Sequence, residues 1–221
     1  MITSRETVLG RIRAALKDVP ASERPEDVAV DRSYIHADES PARERLACFI
    51  DRVRDYKAKV KVTRAEGLAA AIAESCAARN VARLVVPADL PEGWAPPGVS
   101  LLRDDGRSSN DDVDRTDGVL TACALGIAQT GTVVLDSGPG QGRRAITLIP
   151  DYHLCVIRDD QVVGLVPEAI VKLQHAAESP ERPITFISGP SATSDIELNR
   201  VEGVHGPRTL EVIVVTDLEV E

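Results

Sequence analysis

The chain has 221 residues, 43% of them apolar and 28% charged, enough to bury a sizeable core in one α/β domain with an appendage. A net charge of −9 argues against a nucleic-acid binder, which would carry a basic face. No apolar run approaches the roughly 18 residues of a membrane span, and with aromatics at 3% the core has to be built from Val, Leu, Ile and Ala.

The opening MITSRETVLGRIRAALKDV spaces Ile2, Val8, Leu9, Ile12 and Leu16 at helical intervals, with Thr3 or Ser4 available as N-cap. No continuous apolar segment follows its charges, so it reads as an amphipathic helix rather than a signal peptide, and a cytoplasmic protein is expected. Residues 20–40 are polar and broken by proline, a surface excursion. PARERLACFIDRVRDY places Leu46, Phe49, Ile50 and Val53 on one helical face. Residues 1–56 are therefore expected to form a helical N-terminal extension, two helices and a long connector, and residues 57–221 the main domain.

From Lys57 the rhythm changes. AKVKV reads as a strand, TRAEGLAAAIAESCAARN as an alanine-rich helix, ARLVVP as a buried strand and VSLL as another. RDDGRSSNDDVDRTDG is acidic and reads as flexible. VLTACALGIAQ is expected to be helical and to run into TGTVVLD, a strand with the unbroken apolar run Val133-Val134-Leu135. SGPGQGRR is a glycine-rich loop. YHLCVI, ITFIS and TLEVIVV follow as strands, and PEAIVKLQHAAE as a helix with proline in its first turn. Strands that alternate with helices and are apolar on both faces predict an α/β fold, a largely parallel sheet flanked by helices.

Three stretches carry candidate chemistry. In GPSATSDIE, a strand ends at Ser188-Gly189-Pro190 and a helix is expected near Ser194, which presents free N–H groups to an anion. Ser194 and Glu197 have capping-box spacing, which explains those two residues without a ligand. Gly189, Ser191 and Thr193 are left as anion-floor candidates, with Asp195 in the first turn. The glycine loop offers close backbone approach, and Arg143 and Arg144 offer charge for an acidic ligand; a hairpin-like loop with solvated arginines is the alternative. GVHGP supplies His205 and Gly206. His205 is the proton-carrier candidate, although a turn histidine is often structural. His153, inside an apolar strand, reads as a core or edge histidine, while His36 and His175 look peripheral. Cys48, Cys76, Cys123 and Cys155 are widely spaced in apolar surroundings, without C-x-x-C or C-x-x-H; they are expected to be buried thiols, and no metal or iron–sulfur site is expected from this chain alone.

Taken together, GIAQTGTVVLDSG, RRAITLIPDYHLCVI and ISGPSATSDIELNRVEGVHGPRTLEVIVV resemble the LUD domain of the lactate utilisation protein C family. The resemblance spans Val113–Val215 through these motifs and Lys57–Leu102 by pattern. It implies a fold similar to the sugar-phosphate isomerase and CoA-transferase group, with ligand loops at strand ends. It also implies a cytoplasmic part in oxidising L-lactate to pyruvate beside iron–sulfur oxidoreductase-like proteins, which would hold the clusters while this chain binds no cofactor. By the same resemblance Thr130, Gly131, Thr132, Gly189, Ser191, Thr193, Asp195, His205 and Gly206 form a pocket for a small anionic metabolite. Where an acidic residue is expected before TGT, this chain has Gln129.

The leading expectation is thus the non-iron–sulfur component of a lactate-oxidising system, binding a small anion or organising its redox partners. Two alternatives stand beside it. One is a stand-alone isomerase or acyl- or CoA-transferase-type enzyme, with His205 or Asp195 as acid–base group and Arg143 or Arg144 on the anion. The other is a non-catalytic regulatory or scaffold protein.

Overall fold

The computed structural model describes residues 3–20, 22–27, 29–31, 33–177, 182–190 and 206–220. The chain divides into two units, residues 1–35 and 36–221. In the first, helix α1 (Ser4–Ala15) starts at a reciprocal capping box: Glu6 N–H donates to Thr3 Oγ1 at 3.2 Å and Thr3 N–H donates to Glu6 Oε2 at 2.7 Å. None of its residues is buried.

Helix α2 (Ala42–Asp55) belongs to the second unit. Its stripe of Leu46, Phe49, Ile50 and Val53 is buried, which ties it to the main core. Each such side chain contributes about 1.5–3 kcal/mol by leaving water.

The strands β1 (Lys59–Thr63), β2 (Arg83–Pro87), β3 (Ser100–Asp104), β4 (Gly118–Thr121), β7 (Tyr152–Arg158) and β10 (Thr209–Val215) form one sheet. Its order is β1-β10-β7-β4-β2-β3, and every neighbouring pair is parallel. Helix α3 (Leu68–Ala78) covers one face through Leu68, Ile72 and Cys76 against Leu84, Val86, Leu120, Leu154 and Ile213. Helix α2 covers the other against Cys155, Ile157, Val212 and Val214.

A second sheet, absent from the expectation, is built from β5 (Leu125–Ile127), β6 (Thr132–Leu135), β8 (Val162–Val163) and β9 (Thr185–Ile187) in the order β8-β5-β6-β9. It is mixed, with β6 antiparallel to both β5 and β9. Val133 and Leu135 of β6 face the α2 core, while Val134 faces the other way, toward Leu125, Ile127 and Leu173 of helix α5 (Val166–Ala177). This is the two-residue period of a strand buried on both faces.

Two local expectations are corrected. VLTACALGIAQ is not a helix: it forms β4 and β5, joined by Ala122-Cys123-Ala124. Its alanines and leucines favour helix, but Val119, Leu120 and Thr121 are fully enclosed between β2 and β7, and sheet burial overrides weak propensity. The acidic stretch 103–118 contains a short helix, α4 (Asn110–Asp114), capped by Ser109, whose Oγ accepts from Asp112 N–H at 3.1 Å.

Candidate functional site

The sheet reverses direction at one place. From β2 the chain steps outward to β3, and from β4 it steps the other way, to β7 and then β10. In open parallel sheets a crevice for ligands opens beyond the carboxyl ends of strands at such a reversal. Here those ends are Pro87-Ala88-Asp89 and Thr121-Ala122, and the glycine loop lies on them. Gly140 N–H donates to Asp89 Oδ2, and Ala122 N–H donates to Gly140 O, both at 2.8 Å.

The loop is built around Asp136. Its Oδ1 accepts from Gly138 N–H at 3.0 Å and from Gln141 Nε2 at 2.7 Å; Asp136 N–H returns a bond to Gln141 Oε1 at 2.7 Å. Arg182 clasps the same residue, Nη2 on Oδ2 at 2.8 Å and Nε on the backbone oxygen at 3.1 Å. Ser137 sits in the left-handed region at φ 56°, a strain that non-glycine residues sustain only where surrounding contacts over-determine them. As folded, the Gly138 and Gly140 N–H groups are turned onto the protein's own carboxylates.

The two neighbouring arginines part company. Arg143 Nε donates to Asp104 Oδ2 at 2.8 Å and Nη2 to Asp104 Oδ1 at 3.2 Å, with a further bond from Nη2 to Ser108 O at 2.7 Å. Burial of Asp104 would raise its carboxyl, but the Arg143 and Ser108 hydrogen bonds outweigh that and hold it below the usual carboxylate range. Arg144 heads a short 3-10 turn, Arg144–Thr147, and its Nη1 donates to Thr147 O and Oγ1, each at 3.1 Å. Partial burial lowers its guanidinium from the ordinary arginine value.

Thr130, Gly131 and Thr132 lie at the opposite end of β6 from this loop, about 13 Å along the strand at ~3.3 Å per residue. Their hydroxyls form a chain in which Thr130 Oγ1, Thr132 Oγ1 and Ser188 Oγ are linked by contacts of 2.7 Å each. Both sequence-nominated glycines here serve close packing on the end of α2. A Cβ on Gly131 (φ 57°) would stand 2.5 Å from the Arg52 carbonyl carbon, and one on Gly189 (φ 80°) 2.6 Å from Tyr56 Cβ. Two clefts of about 320 Å³ each flank this contact. They share Arg52 and Gln129; the first continues past Arg45 and Cys48, the second past Asp55 and Tyr56. The carboxyl end of a helix carries partial negative charge, so an anion in the second cleft would rely on Arg52 and the hydroxyls.

Of the nominated residues, then, Thr130, Gly131, Thr132 and Gly189 are brought together, and Arg143 and Arg144 stand apart from them. Gly206 lies ahead of β10, whose start is at the amino end of the parallel sheet, opposite to the crevice. Asp195, His205, Ser191 and Thr193 lie outside the described residues, as does the whole of ATSDIE. Sequence reasoning missed Asp89, Asp104, Asp136, Gln141 and Arg182. Only Asp136 had a local signal, the Asp-Ser-Gly turn directly after a strand. Among the described residues no cluster of three His, Cys, Asp or Glu side chains could hold a metal. Cys76, Cys123 and Cys155 are buried as expected, whereas Cys48 is exposed on α2.

A parallel sheet flanked by helices, with a glycine loop lying on its reversal point, defines an open-sheet α/β protein. The chain belongs to the LUD domain family, whose model matches residues 46–215. It is 50% identical over 172 residues to lactate utilization protein C of Deinococcus radiodurans, covering 78% of this chain and 80% of that one. It is 33% identical over 177 residues to lactate utilization protein C of Geobacillus kaustophilus, covering 72% of each. The crystal structure of a DUF162 family protein from Deinococcus radiodurans superposes with a TM-score of 0.70 at 41% identity, covering 80% of this chain and 99% of that one. No helix among the described residues is long and apolar enough to cross a membrane.

Proposed function

We propose that this protein acts in L-lactate utilisation as the cytoplasmic component that binds a small carboxylate, beside partner proteins that carry the iron–sulfur clusters. The observation that supports this reading most is the 50% identity to lactate utilization protein C of Deinococcus radiodurans over four-fifths of that chain. The geometry agrees with a binding role: arginines gather around a loop at the sheet's reversal point.

The test is genetic and biochemical. A strain lacking the gene is expected to lose growth on L-lactate while growing normally on pyruvate, and the wild-type gene is expected to restore it. Affinity purification of the chain from its own lysate is expected to bring down iron-containing proteins and lactate-dependent dye reduction. Undiminished growth of the deletion strain on L-lactate would overturn the reading.

A further inference from the structure

Where β6 begins and β9 ends, two turns lie directly on the last turn of α2. Gly131 meets it at Arg52 and Gly189 at Tyr56, each so closely that a Cβ would collide. The cleft beside this contact is lined by Arg52, Asp55, Tyr56, Gln129 and Thr130. Its volume of about 320 Å³ suits a small molecule.

The lining carries one charge of each sign. Arg52 and Asp55 stand three residues apart on α2, and Arg52 Nη1 reaches Asp55 Oδ2 at 3.5 Å, the outer limit of a hydrogen bond. Both side chains are more than half exposed, 56% and 66%, so this pair adds little to folding. Among the described residues the other guanidinium N–H groups and Asp55 Oδ1 have no partner. Gln129 adds a side-chain amide that makes no hydrogen bond among the described residues, with a donor at one atom and an acceptor at the other. Thr130 Oγ1 is held 2.7 Å from Thr132 Oγ1 and keeps capacity for a further bond.

The balance of charge selects the ligand. A simple anion drawn to Arg52 meets Asp55 and the partial negative charge at the carboxyl end of α2; a cation drawn to Asp55 meets Arg52. A zwitterion gains from both. An α-amino acid carries its ammonium and carboxylate on one carbon atom, a spacing that matches two side chains whose charged ends meet at 3.5 Å.

We propose that this cleft binds a free α-amino acid with an uncharged side chain. Arg52 and the Gln129 amide hold the carboxylate, Asp55 and Thr130 Oγ1 accept from the ammonium, and the side chain lies along Tyr56. The proposal does not rest on the lactate-utilisation reading, and the growth test on L-lactate leaves it untouched.

The experiment titrates the full wild-type chain with glycine, L-alanine, L-glutamine and L-phenylalanine and follows it by ¹⁵N NMR. With at least one of the four, saturable shifts are expected at the Gln129 side-chain amide and at the Thr130 and Gly131 backbone amides. Sodium L-lactate and L-alaninamide, which keep only the carboxylate or only the ammonium, are expected to leave these signals in place at the same concentrations. Arg52→Gln and Asp55→Asn are each expected to weaken binding roughly tenfold, the loss of one charge-assisted hydrogen bond, while a thermal scan shows both variants folded. Signals unmoved by all four amino acids would overturn the site. Shifts with L-lactate equal to those with L-alanine would put a simple anion on Arg52 and overturn the zwitterion, as would binding undiminished in Asp55→Asn.

Discussion

Replacing Arg143 by alanine should damage the protein more than replacing its partner Asp104 by asparagine, although both break the same ion pair. The Asp104 side chain is 1% exposed and that of Arg143 is 33% exposed. Removing the arginine strands a carboxylate in the interior, for which the general cost is about 3–5 kcal/mol. The hydrogen bonds from Ser108 and Gly106 remain, so about 3 kcal/mol is expected at pH 7. Removing the acid's charge leaves a guanidinium that can turn to water, and roughly 1.5–3 kcal/mol, the value of hydrogen bonds to a charged group, is an upper bound. The two variants also differ in pH dependence. In the wild type the Asp104 carboxyl is held below its usual range, so its stabilisation is complete above the unfolded value of about 3.9 and is lost as pH falls through the lower native value. In Arg143→Ala, burial acts without its main counterweight, the carboxyl titrates higher, and its charged form becomes costlier as pH rises. The stability gap between wild type and Arg143→Ala should therefore narrow from pH 7 to pH 4. Urea unfolding followed by Trp94, which is packed against the α3 core, measures this at each pH. In a thermal scan the expected loss is roughly 6–12 °C at 2–4 °C per kcal/mol. Equal losses from the two variants, or a gap that does not change with pH, would refute the reasoning.

Three further outcomes follow from local geometry. Gly131→Ala combines a left-handed φ of 57° with a Cβ 2.5 Å from the Arg52 carbonyl carbon, and should cost about 2 kcal/mol or more in urea unfolding; a loss under about 0.5 kcal/mol would show that the end of α2 yields easily. His153 is neutral when folded and held near 4, whereas the unfolded ring titrates near 6.5, so stability should fall as pH drops from about 6.5 toward 4. His153→Gln should remove up to about 1.4 kcal/mol per pH unit of that slope, and an unchanged slope would contradict a buried neutral ring. In a thiol-labelling assay Cys48 should react in the folded protein; Cys76, its thiol pushed up to about 11 by burial and by Glu211, should react with Cys123 and Cys155 only after unfolding.

How much of this was legible in the sequence depended on the length over which each feature is written. The strands β2, β7 and β10 carry the apolar runs Leu84-Val85-Val86, Leu154-Cys155-Val156-Ile157 and Val212-Ile213-Val214-Val215 because both faces of a parallel sheet are covered, and that signal survives in a single sequence. The second sheet was not legible, since β5, β8 and β9 have three, two and three residues, too few to establish a period. The stripe on α2 was read correctly, but nothing in it says which unit the helix joins; that is decided by what its buried side chains meet. The glycine loop was visible by composition, whereas its anchors were not. Asp89 is 51 residues from Gly140, Arg182 is 46 from Asp136, and Asp104 is 39 from Arg143. Such pairings exist only once the sheet has brought strand ends together.

The same long-range pairings separate the roles of Arg143 and Arg144, which the sequence presents as equivalent charges. Arg143 and Arg182 are each locked in a bidentate grip on an aspartate residue and act as clamps on the ends of the loop. Arg144 instead donates to Thr147 O and Oγ1, three residues on, within its own 3-10 turn. Arg143→Gln, which strands the buried Asp104 carboxylate, should therefore cost about 3 kcal/mol of unfolding stability. Urea unfolding of the wild type and this variant measures the difference. A loss under about 0.5 kcal/mol would refute the role of Arg143 as a clamp on the end of the loop.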